Sequence, residues 1–146
     1  MDISTEEFTP YLPDTSSNKT VCNETVYAIY GARDGKIWMA TDYGVNVYNP
    51  LTGLFHHFKH NKENPNSLIH NEILCFHEDQ KGHMWIGTYG RGFDKYIPES
   101  NRFIHFQHVD EISTAVIYGI LQDPSGLFWM STNNGLLNFN ERSGQI

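Results

Sequence analysis

The 146 residues contain only two cysteines, Cys22 and Cys75, at a separation that fits neither a metal-binding nor a redox motif. Cys75 falls in an apolar pattern and is expected to be a small buried hydrophobe. Cys22 falls in a polar loop, and a disulfide between such unlike settings is not expected. No apolar run approaches the roughly 20 residues of a membrane-spanning helix. The opening MDISTEEFTP is acidic and lacks the apolar stretch of a signal peptide, so an exported protein would carry its signal elsewhere. Ten Lys and Arg are scattered against seventeen Asp and Glu, for a net charge of −7, which argues against the clustered basic surface that nucleic acid requires. Long runs of Ala, Leu, Glu and Lys are missing, which argues against extended helices. No Gly-x-Ser-x-Gly, His-Glu-x-x-His or phosphate-cradling loop occurs.

What is there is repetition. GKIWMATDYGVNVY (Gly35 to Tyr48) returns as GHMWIGTYGRGFDKY (Gly82 to Tyr96) and as GLFWMSTNNGLLNF (Gly126 to Phe139). Trp38, Trp85 and Trp129 are the three tryptophans, 47 and 44 residues apart. A period in that range, filled with short strands, marks the blades of a β-propeller. Ala40, Gly87 and Ser131, two places after each Trp, suit positions where neighbouring backbones approach closely. The aromatics fill the wedge between radially packed sheets. Threefold recurrence favours packing over ligand stacking as the role of the tryptophans.

The first two repeats read as four short strands each and the third as three. In the first, Val26 to Tyr30, Lys36 to Thr41, Val45 to Asn49 and Leu54 to Lys59 are separated by turns at Asp34-Gly35, Asp42-Tyr43-Gly44 and Pro50 to Gly53. The second has Ile73 to His77, His83 to Thr88, Phe93 to Ile97 and Arg102 to Gln107. The third has Val116 to Leu121, Leu127 to Thr132 and Leu136 to Asn140. Phe8-Thr9-Pro10-Tyr11 matches Phe55 to Phe58 and Phe103 to Phe106 at the same period, which predicts the outer strand of a preceding repeat. The expected fold is an all-β propeller fragment of about three four-stranded antiparallel blades, occupying 1–146 as one unit. An outer strand and connector fill 5–20, and blades occupy 21–60, 61–108 and 109–146, the last without its outer strand. Three blades do not close a ring, for which about four to eight are typical. The lone strand at Phe8 to Tyr11 could complete the third blade of a second copy, giving a strand-exchanged dimer with six blades.

The repeats resemble those of the two-component regulator propeller family. The residues that carry the resemblance are Asp79, Gly82, Trp85, Gly87, Thr88 and Gly92 in the second repeat. The first contributes Gly35, Trp38, Thr41, Gly44, Tyr48, Pro50, Thr52, Gly53 and Phe55, and the third Asp123, Gly126, Trp129, Thr132, Gly135 and Leu136. The connector Asn64-Pro65-Asn66-Ser67-Leu68 with His70-Asn71 resembles the family's link between blades. Ala32 and Ala40 depart from it, standing where Asp and Gly are usual, and Val45 and Phe93 replace Leu. The resemblance implies a periplasmic sensor region of a Bacteroidetes-type hybrid two-component protein. It implies a bound oligosaccharide whose presence is signalled to a histidine kinase, no catalytic residues and no cofactor. Contact with the membrane would come only through segments downstream of this chain.

Propeller ligands sit at one end of the central axis, among the loops joining strands two and three and the connectors between blades. Those loops offer Asp42, Tyr43, Tyr89, Arg91, Asn133 and Asn134, with His70 and Asn71 from a connector. Tyr presents an aromatic face to a pyranose ring, and Arg and Asn present planar donors and acceptors to its hydroxyls. The same residue types are ordinary in turns. Arg91 lies in a turn one residue longer than its counterparts. His56, His57, His60, His105 and His108 raise a metal, but neighbouring strand residues face opposite ways, so a solvated outer strand is expected instead. Two further functions stand beside the sugar sensor: a scaffold for protein partners and, more weakly, a polysaccharide-acting enzyme. The enzyme would need two carboxyls about 5–10 Å apart, and no such pair is marked.

Overall fold

The computed structural model describes residues 8–107 and 112–144. Among these residues eleven strands form three antiparallel sheets. The first blade is β1 (Val26–Gly31), β2 (Ile37–Thr41), β3 (Gly44–Asn49) and β4 (Leu54–Phe58). The second is β5 (Ile73–Glu78), β6 (Met84–Thr88), β7 (Phe93–Ile97) and β8 (Arg102–Phe106). The third is β9 (Ile117–Gln122), β10 (Phe128–Thr132) and β11 (Gly135–Phe139). Within each sheet the strands pair in chain order, and each Trp is opposite the same place on its neighbour: Trp38 with Val47, Trp85 with Lys95, Trp129 with Asn138. This is the all-β propeller architecture that the period implies.

The hairpins between the first and second strands show why the repeat needs its Asp and Gly. Asp79 Oδ1 accepts the amides of Lys81 (2.8 Å) and His83 (3.0 Å), while its Oδ2 accepts the indole N–H of Trp85 (3.1 Å). Asp123 does the same for Ser125 (2.8 Å), Leu127 (3.1 Å) and Trp129 (2.9 Å). One carboxylate thus shapes the turn and satisfies a tryptophan that would otherwise bring a bare donor into the core. The glycine that follows takes φ of 85° at Gly82 and 92° at Gly126, which a residue with a Cβ adopts at a cost. At the other end of the strands the repeated Thr closes the turn. Thr41, Thr88 and Thr132 donate their hydroxyls to Gly44, Gly92 and Gly135 carbonyls at 2.7–2.9 Å.

Two aromatic cores lie between the blades. Trp38, Phe76, Met84 and Ile86 join the first to the second, and Trp85, Phe93, Phe128, Met130 and Phe139 join the second to the third. The middle blade is therefore covered on both faces, and all of β6 is buried. Gly87 permits the approach: a Cβ there would come within 2.4 Å of Cys75 Sγ and 2.9 Å of the Ile117 carbonyl oxygen. Val21, Leu68 and Ile112, each 17 residues before its Trp, are buried as plugs from the connectors.

Three local expectations change. Residues 8–14 form no strand, since no described strand lies beside them to complete a ladder. Cys22 lies in the connector loop as expected but is buried there, because the connector folds over the core, and both cysteines are free thiols. Burial pushes the Cys75 thiol up to about 12. The outer-strand histidines are not uniformly solvated. His57 and His105 turn inward, with Nδ1 2.7 Å from Asn46 Oδ1 and from Asp94 Oδ1, and their Nε2 atoms reach the Ser17 and Pro65 carbonyls. Asn46 and Asp94 also take the amides of Cys22 and Ile69, so each His fastens a connector to its blade. His108 lies outside the described residues.

Candidate functional site

The eight candidate residues fall in two kinds of segment, the turns between second and third strands and the connector before β5. Backbone bonds stitch these together at one end of the blades. Gly44 donates to the Asn71 carbonyl (2.6 Å), Tyr89 to that of Glu72 (3.0 Å) and Gly90 to that of Ala115 (3.2 Å). A bridge pairs Tyr89 with Val116, and Asn133 donates to the Val116 carbonyl (3.3 Å). Turn, connector and turn thus alternate in a continuous row.

Within that row the side chains divide. Asn71 Oδ1 accepts the amide of His60 (2.7 Å), Asn133 Oδ1 that of Val116 (3.0 Å), and Asp42 the amide group of Asn23. These three shape their loops. His70 Nδ1 accepts the amide of Glu72 at 3.3 Å, and Lys59 sits 4.2 Å over the ring of Tyr43. Tyr89, half exposed, and the exposed Arg91 and Asn134 side chains bond to no described residue. Arg91 and His70 also border a cavity of about 520 Å³ beside Leu68 and the connector. No group of three His, Cys, Asp or Glu side chains able to hold a metal ion occurs among the described residues.

Two segments, residues 20–43 and 67–90, match the two-component regulator propeller family. Two of the three blades carry this repeat. The matched segments run from a connector through the first two strands of a blade, which is where the Asp, Gly, Trp and Thr positions lie. Among solved structures, the extracellular domain of a hybrid two-component system from B. thetaiotaomicron is similar over 97% of this chain, with a TM-score of 0.79 and 23% identity. The corresponding domain of a second such system from that organism is similar over 94%, with a TM-score of 0.72 and 22% identity. The chain spans 19% of the length of each. Virginiamycin B lyase from Staphylococcus aureus, at 16% identity, is similar over 93% of this chain and 42% of its own, with a TM-score of 0.65. An enzyme therefore shares the fold, and the fold by itself assigns no chemistry. No curated protein sequence matches significantly.

The end of the blades opposite the candidate row drew no expectation from the sequence. A cavity of about 730 Å³ opens there between the first two blades, beside the β1–β2 and β5–β6 hairpins. Its one signal in the sequence was Ala32, which stands where the other two hairpins have Asp.

Proposed function

We propose that the chain is part of the extracytoplasmic sensing propeller of a hybrid two-component protein, is non-enzymatic and periplasmic, and recognises an oligosaccharide for signalling to a histidine kinase. The observation that carries this reading is the two-component regulator repeat in two blades. The row of turns supports it, since Tyr89, Arg91 and Asn134 leave an aromatic face and planar polar groups uncommitted at one end of the blades. Asp42, Asn71 and Asn133 flank them and shape the loops, with Tyr43 and His70 alongside. A glycan screen by thermal shift, followed by calorimetry, tests it. One saturable oligosaccharide ligand is expected, with Tyr89→Ala and Arg91→Ala each weakening it at least tenfold at unchanged folding. Unchanged affinity in both variants would move the site elsewhere, and silence across the screen would overturn sugar recognition.

A scaffold for protein surfaces is the second reading, and exposed apolar faces favour it. Ile29 and Tyr27 lie on the outer face of the first blade and Leu121 and Leu136 on that of the third. Faces of this kind need a partner, either further propeller blades or a second copy of the chain.

A further inference from the structure

Trp38 is the exception among the three tryptophans. The residue is 6% exposed and its ring packs against Phe58, Phe76 and Tyr96 at 5.4–5.9 Å, as the repeat dictates. In the other blades the indole N–H goes to a carboxylate six residues earlier, Asp79 or Asp123. Six residues before Trp38 stands Ala32, which has no acceptor on its side chain. No described residue takes the Trp38 N–H. Where the missing carboxylate would be there is space, because Ala32 and Trp38 both line the cavity of about 730 Å³.

The walls of that cavity have a definite chemistry. Phe58, Met84 and Tyr96 supply an apolar side next to the indole. Arg33 stands at the mouth but is engaged, its Nε 3.3 Å from Glu78 Oε1 and its amide 2.9 Å from Glu78 Oε2. Lys36 is paired with Asp34 at 2.6 Å. Lys81, also at the rim, has no ion-pair partner among the described residues. The cavity thus joins an indole donor that opens into it without an acceptor among the described residues, a cation without an ion-pair partner among them and an apolar wall, in a volume that suits a small ligand of one or two rings.

We infer that this cleft is a binding site for a small ring-bearing carboxylate. The carboxylate takes the place that Asp79 and Asp123 occupy in the other blades, accepting the Trp38 N–H and facing Lys81, while the ring lies along Tyr96 and Phe58. Such a carboxylate belongs to a sugar acid or to an aromatic acid. The site is at the opposite end of the blades from the loop row and does not depend on sugar sensing there.

The three indole N–H signals in an ¹H–¹⁵N spectrum test it, with Trp38 assigned through Trp38→Phe. Glucuronate and benzoate are titrated in, each beside its neutral counterpart, glucose and benzyl alcohol. At least one of the two acids should shift the Trp38 signal saturably and leave Trp85 and Trp129 in place, with the neutral counterpart at least tenfold weaker. Response to glucuronate alone identifies a sugar acid, and response to benzoate alone an aromatic acid. Ala32→Asp restores the carboxylate of the other blades, so it should fold at least as stably and lose the acid at least tenfold. Lys81→Gln should weaken binding severalfold and tests the charge contribution without touching the hairpin carboxylate. An unmoved Trp38 signal with both acids, equal binding of the neutral counterparts, or full affinity in Ala32→Asp would each overturn the assignment.

Discussion

At Gly87 the packing leaves no room for even one methyl group. A Cβ there would meet the Cys75 sulfur of its own blade at 2.4 Å and, across the junction with the third blade, the Ile117 backbone oxygen at 2.9 Å. The backbone oxygen can move only if β9 shifts as a whole. Gly87→Ala is therefore expected to destabilise by about 1–3 kcal/mol, the ordinary cost of overpacking a filled core. Gly31→Ala is the matched control: a Cβ there meets nothing within 4 Å and the backbone has no positive φ, so its effect should stay within about 0.5 kcal/mol. Urea denaturation of the two variants checks the pair, and equal midpoints would show that the blades separate easily at Gly87.

The hairpin carboxylates act at the level of the element. In Asp123 the bonds from Ser125 and the Trp129 indole lower the acid to about 2, against a weaker upward push from burial. In Asp79 burial is the largest influence and pushes upward. The donors around it, led by Trp85 and His83, outweigh burial and hold the group below the usual range. A depressed carboxylate stabilises the fold fully above its unfolded value, near 4, and that contribution disappears as pH falls through the folded value. For Asp123 the window is therefore about pH 4 down to 2. Melting temperatures of the wild type and Asp123→Asn should differ most at pH 5–7 and converge towards pH 2. A constant gap would mean that the charge on Asp123 plays no part in holding the hairpin. Ala32 lacks this device, and in its blade the turn falls to Asp34, which accepts the amide of Lys36 at 3.0 Å.

At the scale of the molecule, the segment before the first connector is informative although it forms no strand. Tyr11 lies 5.7 Å from Tyr48 and 5.5 Å from Phe55. One repeat later Phe58 lies 5.1 Å from Tyr96 and 5.2 Å from Phe103, the equivalent rings. Tyr11 thus makes the contacts that an outer-strand aromatic makes with the next blade. A second copy offering its third blade would give residues 8–12 a strand edge, and the outer faces at Ile29 and Leu121 would be covered together. Light scattering at micromolar concentration is expected to show a dimer that is lost on deleting residues 1–12 and weakened by Tyr11→Ala. A dimer indifferent to both changes would sink strand exchange, and a monomer would mean that further blades are the natural cover for these faces.

The sequence by itself determined the period, the strands and the blade order, because each repeat carries its own turn glycine, tryptophan and threonine, two of the three add the hairpin carboxylate, and such local chemistry is written in consecutive residues. It also marked the plugs at Val21, Leu68 and Ile112 through their fixed distance from each Trp. The row of turn residues was legible as a place, but which side chains are spent on the fold was not. Asn71 and Asn133 are committed to amides 11 and 17 residues away, and only the packed connectors bring those amides within reach. The inward turn of His57 and His105 was likewise invisible, since the carbonyl each one reaches lies 40 residues earlier in the chain. Ala32 was visible as a departure from the repeat, but its meaning was not. Whether a missing carboxylate leaves a filled gap or an open cleft depends on how two sheets meet, and that was decided only by the tertiary structure.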